Sequence, residues 1–479
     1  MPDSRLSSRA FIQMLGEWRG RGPAYRGLAD AVRVLCLDGR IAPGTALPAE
    51  RDLATRMQVS RTTVAAAYRD LRDSGHISSL RGSGSIVRAL GRTAPPPEGG
   101  EGHTIDLHQA SPAGWPGLSD LYAQAAADAG RWVRRSGYDT VGNRALRAAI
   151  AQRYENRGLP THPDQIVVTT GAQSAIALVA DVIVRRGDRV AIETPTYPHA
   201  ADALRESGAR LVAIPVDPVR GWDMDRADNV LRRTAPSLAY LMPDFQNPTG
   251  ASMDAATRER LLVLAAESGA ILVADETTAE LDIDRGSVMP PLGAGMGADH
   301  ERALVTVGSL GKTVWGGLRI GWIRADPDLV PRLIAARPRR ELGTPEFEQE
   351  VALLAFDRMP EILAQRADLL RAGRDALVDA LRTRLPEWGV PEVHGGVALW
   401  IALGLPVSSP LALAARERGL ILSSGPRFGV DGGHERHLRI PFTAAPDVLE
   451  QAVEILAEVW PQARDRGRPL AEPPLTAVV

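Results

Sequence analysis
The chain has 479 residues, more than one ordinary domain holds and enough for two or three. Its 44% hydrophobic and 24% charged residues are those of a globular protein with a near-neutral balance of −2. No run of about 18 apolar residues and no apolar leader occurs, so neither a membrane span nor a secretion signal is predicted, and a cytoplasmic location is expected. One cysteine, Cys36, excludes an internal disulfide and a cysteine-bound zinc; between Leu35 and Leu37 it reads as a small core side chain.

The charge is unevenly divided. Residues 1–92 carry fifteen arginines, no lysine and eight acids, a formal +7 that leaves −9 for the remainder. A basic block joined to an acidic body points to different partners for the two. Of the 56 basic residues all but Lys312 are arginine. Arginine stays protonated, whereas a desolvated lysine amine can form a Schiff base.

In chain order, Leu28, Ala31, Val32 and Leu35 recur at helical spacing until Asp38-Gly39. Pro43-Gly44 makes a turn, and a second helix runs from Leu47-Pro48 to about Met57. Ser60 is placed to cap a third helix that buries Val64, Tyr68 and Leu71 and stops at Gly75. His76 to Leu80 and Ser85 to Arg88 then pair as short strands. Helix, turn, helix and ribbon make a winged helix-turn-helix over residues 1–90. Arg61, Thr62 and Thr63 fall in the first turn of the last helix, where side chains and free N–H groups can meet a phosphate or base edge. For Arg61, as for Arg51 or Arg81 taken singly, a solvated basic surface is the alternative.

Leu47-Pro-Ala-Glu-Arg-Asp-Leu-Ala54, Val59-Ser-Arg-Thr-Thr-Val64 and Arg81-Gly-Ser-Gly84 resemble the GntR class of DNA-binding heads. That resemblance implies double-stranded operator DNA as partner. Arg51, Ser60, Arg61, Thr62, Thr63, Arg81 and Gly82 are the contacts it implies.

Residues 91–104, with Ala-Pro-Pro-Pro-Glu-Gly-Gly-Glu-Gly, read as a linker. From residue 105 to 464 short apolar runs alternate with helices: 165–170, 189–193, 210–215, 238–242, 271–275 and 303–307 are strands. The fold class is therefore α/β, multi-domain, with a mostly parallel sheet covered on both faces. Ligands in such folds bind beyond the carboxyl ends of the strands, where Thr170, Gly171, Asn247, Asp275 and Ser309 lie. The Pro-rich stretch 465–479 reads as a disordered tail.

Lys312 lies in Gly308-Ser-Leu-Gly-Lys-Thr-Val-Trp-Gly-Gly-Leu-Arg-Ile-Gly-Trp322, which resembles the pyridoxal phosphate (PLP) lysine segment of the fold-type I aminotransferases. The resemblance implies PLP as cofactor, joined to Lys312 as a Schiff base, and a smaller C-terminal α+β subdomain. It implies a phosphate site from Gly171, Ala172, Gln173, Ser309 and Arg319, and Tyr197 stacked on the pyridine ring. Asn247 is then the donor to the ring hydroxyl and Asp275 the pyridinium partner. Tyr138 reaches the neighbouring subunit's phosphate, and Arg439 takes an effector carboxylate. Two departures stand out. Thr277 and Thr278 occupy positions where the family commonly has a tyrosine, and His199 stands where some of these regulators have an arginine.

Head, linker and body together resemble the MocR-type transcriptional regulators. This implies a homodimer, head-to-tail, with each head over the partner's body, and a small amine or amino-acid effector. A catalytically active aminotransferase with a vestigial head is the alternative.

Overall fold
The computed structural model describes residues 4–16, 18–19, 22–80, 84–88, 104–134, 136–286, 289–297 and 302–467. The predicted wing residues Arg81 and Gly82, nearly all of the linker and the last twelve residues lie outside them.

The head consists of β1 (Ser4–Arg5), α1 (Ser8–Leu15), α2 (Ala24–Leu37), β2 (Thr45–Ala46), α3 (Glu50–Met57), α4 (Arg61–Asp73), β3 (Ile77–Leu80) and β4 (Gly84–Val87). Its strands are ordered β1-β2-β4-β3. Ser60 Oγ accepts the Thr63 N–H at 3.1 Å and caps α4. Gln58, in the left-handed region at φ 53°, ends α3 and aims the chain into α4. Val64, Ala67, Tyr68 and Leu71 of α4 pack on Leu28, Val32 and Leu35 of α2. Phe11 and Leu15 of α1, a helix not predicted above, complete this core. Cys36 packs at its edge, and burial pushes its thiol up to about 12, so it stays protonated and inert.

The body begins with β5 (Ile105–Asp106), α5 (Leu118–Ala127) and α6 (Arg144–Asn156). Then β6 (Ile166–Thr169), α7 (Ala172–Ile183), β7 (Arg189–Thr194), α8 (Pro198–Glu206), β8 (Arg210–Asp217), β9 (Gly221–Trp222), α9 (Met224–Thr234), β10 (Leu238–Leu241), α10 (Ala255–Ser268), β11 (Ile271–Asp275), β12 (Leu304–Ser309) and β13 (Gly321–Arg324) build one sheet and its cover. The sheet order is β6-β13-β12-β11-β10-β7-β8-β9. β7, β8, β10, β11 and β12 pair in parallel, as the alternation of apolar runs and helices predicts. β13 runs antiparallel to both of its neighbours. The segment joining it to β12 is too short for a parallel crossover, so the chain has to turn straight back. Alternate residues serve two cores: Val190 and Ile192 of β7 pack with α7 and α8, whereas Ala191 faces α9 and α10.

After α11 (Val330–Ala336), α12 (Glu346–Asp357) and α13 (Met359–Arg384), a smaller α+β unit forms from β14 (Ala398–Ala402), α14 (Ser408–Glu417), β15 (Leu420–Ile421), β16 (His437–Pro441) and α15 (Pro446–Gly467). β14 and β16 pair antiparallel, and β5 adds to β15, so the first strand after the linker belongs to this small unit. α15 continues to Gly467, past the predicted boundary at residue 464. Leu449, Val453, Leu456, Trp460 and Ala463 keep helical spacing against the core, which carries the last turn along.

Head and body touch. α2 packs against α14, Arg40 Nη1 donates to Pro426 O at 3.4 Å, and Gln13 Nε2 donates to Asp431 Oδ1 at 3.0 Å. The head was expected over the partner's body. In the single chain α2 rests on the α14 of its own body.

Candidate functional site
The loops leaving β6, β7, β10, β11 and β12 open on one edge of the sheet, and β16 approaches it from the small subdomain. Between them lies a cavity of about 560 Å³. Ala172, Gln173, Tyr197, Asn247, Asp275, Ser309, Lys312, Arg319 and Arg439 all line it, so residues separated by up to 267 positions in sequence are brought together.

Two glycines make its anion end. Gly171 has φ 86°, and a Cβ there would lie 2.5 Å from Arg319 Nη2; a Cβ on Gly321 would lie 2.5 Å from the Gly171 carbonyl carbon. Arg319, itself left-handed at φ 53°, is thereby folded against the start of α7, donating to Thr170 O at 2.9 Å and Gly316 O at 3.3 Å. A guanidinium beside the free N–H groups of a helix's first turn is an anion site. Ser309 Oγ accepts the Gly311 N–H and donates to Ile320 O, both at 3.0 Å, which ties the lysine loop to the strand beside it.

Lys312 Nζ donates to Ala110 O at 2.5 Å. Burial, then the charges of Arg439 and Arg319, bring its amine down to about 8 against the opposing pull of Asp275. Asp275 ends β11 and is 1% exposed. Its Oδ2 accepts the Tyr240 hydroxyl at 2.5 Å and its Oδ1 the Thr277 N–H at 3.0 Å. Burial still holds the carboxyl above its ordinary range. Tyr240 was not singled out from the sequence; a tyrosine inside an otherwise aliphatic strand, its hydroxyl needing a buried partner, was the available signal.

Tyr197 meets His199 edge to face at 5.4 Å, and burial pushes its hydroxyl up to about 12. His199 also lines the cavity, and burial, with Arg427 nearby, lowers its pKa. Arg439 Nη2 donates to His108 O at 2.5 Å, with its guanidinium over the Phe428 ring at 4.8 Å. Neither threonine replaces the family's tyrosine: Thr278 Oγ1 donates away to Asp244 O at 2.9 Å, and Thr277 is engaged with Asp275. Tyr138 is 74% exposed and does not line its own chain's cavity. Arg427 and His108, both in the lining, went unnoticed in the sequence because nothing local distinguishes them from surface residues.

On the head, Arg51, Ser60, Arg61 and Thr62 are exposed and Thr63 is half-buried. The Ser60 hydroxyl lies 2.7 Å from Thr62 Oγ1 and 2.8 Å from Thr63 Oγ1, which orders the first turn of α4. Arg69 is exposed two turns after Arg61 and extends the cationic edge.

Comparison with known proteins accounts for both parts. Residues 118–456 match the family "Aminotransferase class I and II", and residues 24–87 match "Bacterial regulatory proteins, gntR family". The uncharacterized HTH-type transcriptional regulator YisV of Bacillus subtilis is 25% identical over 472 residues, covering 91% of this chain and 96% of that protein. The probable rhizopine catabolism regulatory protein MocR of Rhizobium meliloti is 30% identical over 335 residues, 64% of this chain and 66% of that one. The α-aminoadipate aminotransferase LysN of Thermus thermophilus, solved with N-(5'-phosphopyridoxyl)-L-leucine, superimposes with a TM-score of 0.67 at 28% identity over 75% of this chain and 93% of that one. Among the described residues no helix is long and apolar enough to cross a membrane. The chain belongs to the class I and II aminotransferase family and, carrying a gntR-family head on that body, to the MocR-type transcriptional regulators.

Proposed function
We propose that the protein holds PLP in the body cavity, binds operator DNA through its heads as a cytoplasmic homodimer, and answers to an amino acid or amine that joins the cofactor. One observation carries this reading. A capped, exposed recognition helix and a cavity built around the chain's only lysine occur in the same molecule.

The residues present fit PLP. The anion end formed by α7 and Arg319 suits its phosphate, and buried Asp275 suits a protonated ring nitrogen. Asn247 Oδ1 is buried with no partner among the described residues, so this acceptor is satisfied only when a ligand hydroxyl or N–H donates to it. When bound, PLP supplies an electrophilic aldehyde and an electron-withdrawing ring. With PLP bound, Lys312 would offer the amine, Tyr197 would cover the ring, Asp275 would accept the ring N–H, and Arg439 would orient a carboxylate toward the lysine. Tyr138, exposed on its own chain, reaches the partner's phosphate in the dimer. In a head-to-tail dimer each head would take on the partner's body the same seat that α2 takes on α14 in the single chain.

Covalent capture of PLP requires the free amine of Lys312. With that amine near 8, capture by the apo protein should accelerate through about pH 8 and level off above it, well below the ordinary lysine range near 10.4. Stopped-flow absorbance over a series of buffers reads this directly; a rate still climbing steeply at about pH 10 contradicts the assignment. The regulatory reading itself is tested by fluorescence anisotropy on DNA from upstream of the gene. PLP with an effective amino acid should change the affinity, whereas steady-state transamination without DNA binding would favour the enzyme reading.

A further inference from the structure
The reading of the body as an effector-sensing pocket leaves two features without a role: a second arginine in the cavity, and the place where the head is seated. They lie on the same short segment. Arg427 lines the cavity beside His199 and Arg439, with its side chain 13% exposed. Its Nη2 donates to Asp202 Oδ2 on α8 at 2.7 Å. Asp202 is 45% exposed and has Arg205 Nη1 within 3.4 Å, so it keeps a cationic partner if Arg427 leaves.

The residues just before Arg427 face the head. Pro426 O accepts from Arg40 Nη1 at 3.4 Å, and Ser424 Oγ donates to Asp38 Oδ2 at 3.5 Å. Arg40 Nη2 is 3.1 Å from the same Asp38 oxygen, and Asp38 ends α2. The segment is tightly held. Gly425 N–H donates to Ser408 Oγ at 2.8 Å, at the start of the α14 that carries α2, and a Cβ on Gly425 would fall 2.1 Å from His434 O. On the pocket side Phe428 O accepts the Thr196 N–H at 2.9 Å, next to Tyr197. Five residues, Ser424 to Phe428, therefore join the wall of the cavity to the seat of the DNA-binding head. Packed backbone of this kind moves as a unit or not at all.

We propose that Arg427 reads a second carboxylate on the effector, and that its shift from Asp202 to that carboxylate is passed through Ser424–Pro426 to Asp38 and Arg40 of the head. This rests on the proposed function above and specifies its ligand as a dicarboxylic amino acid. Arg439 takes the α-carboxylate, and Arg427 takes the distal one with the planar two-point geometry suited to it. The ligand then differs in its contacts between two head positions, as any effector must.

The test uses the full-length, PLP-loaded protein with aspartate, glutamate and alanine as probes. The visible spectrum reads ligand binding and anisotropy on the upstream DNA reads the head. In the wild type, one of the dicarboxylic probes should bind at least about tenfold tighter than alanine and shift DNA affinity about fivefold or more, in the usual range of allosteric coupling. Arg427→Gln should erase both preferences by weakening the dicarboxylic probes far more than alanine; Arg427→Lys should recover part of them. Arg40→Gln should leave both spectral affinities intact and remove the effect of the dicarboxylate on DNA. The proposal is overturned if the wild type binds alanine as well as both dicarboxylates, if Arg427→Gln weakens all probes alike, or if Arg40→Gln keeps the DNA response. Failure of the wild type to bind PLP or DNA at all would instead overturn the reading on which it rests.

Discussion

Replacing Lys312 by alanine should abolish the covalent cofactor entirely. The chain has no other lysine, so no second ε-amine can take over. Purified wild type reduced with borohydride should show the cofactor fixed to the peptide around residue 312. Lys312→Ala should show no fixed cofactor while retaining dialysable PLP, because Arg319, the first turn of α7 and Asp275 are untouched. Two companions separate the roles. Asp275→Ala removes the anion that the ring nitrogen faces and leaves the Tyr240 hydroxyl without its buried acceptor, so it should lower PLP affinity and slow exchange with amino acids. Arg439→Ala should spare PLP and weaken ligands that carry a carboxylate. Borohydride labelling at some other residue would refute the first assignment, and equal loss of PLP in both companions would refute the division of labour.

The second large effect is on DNA. A head with seven excess positive charges should bind DNA with an affinity that falls steeply with salt, because each neutralised phosphate releases counterions. Arg61 stands at the N-terminal end of α4, exposed, next to the Ser60 cap. If it meets a guanine edge, Arg61→Ala should cost about 1–3 kcal/mol on the specific site and far less on random DNA. Arg51 lies exposed on α3; if it meets phosphate, Arg51→Ala should weaken specific and random DNA alike, with a shallower salt slope by about one. Footprints of the three proteins on the upstream region, at several salt concentrations, check this. An unchanged specific footprint for Arg61→Ala removes it from the base-reading set. The dimer should protect two half-sites whose spacing reflects the body, since the head alone carries no symmetry.

Much of this molecule is local in origin, and that part was legible in the sequence. Ser60 caps α4 because a side-chain oxygen three residues from a free N–H needs nothing distant. The parallel strands follow from apolar runs buried on both faces, and Lys312 stood out by being alone. Asp275, Asn247 and Gly171 were found because strand ends and helix starts put them on one edge of the sheet. What the sequence could not determine depends on atoms far apart in the chain. The antiparallel β13 is forced by a short connection, yet its partner β6 lies some 150 residues away. Tyr240 matters only because strand register sets it beside Asp275, and Arg427 only because Phe428 packs under Arg439. The seat of the head is decided by the meeting of α2 with α14 and of Arg40 with Pro426, nearly 400 residues apart. Periodicity and capping act over a few residues, whereas packing, burial and charge pairing act through space, and only the folded chain brings those partners within reach.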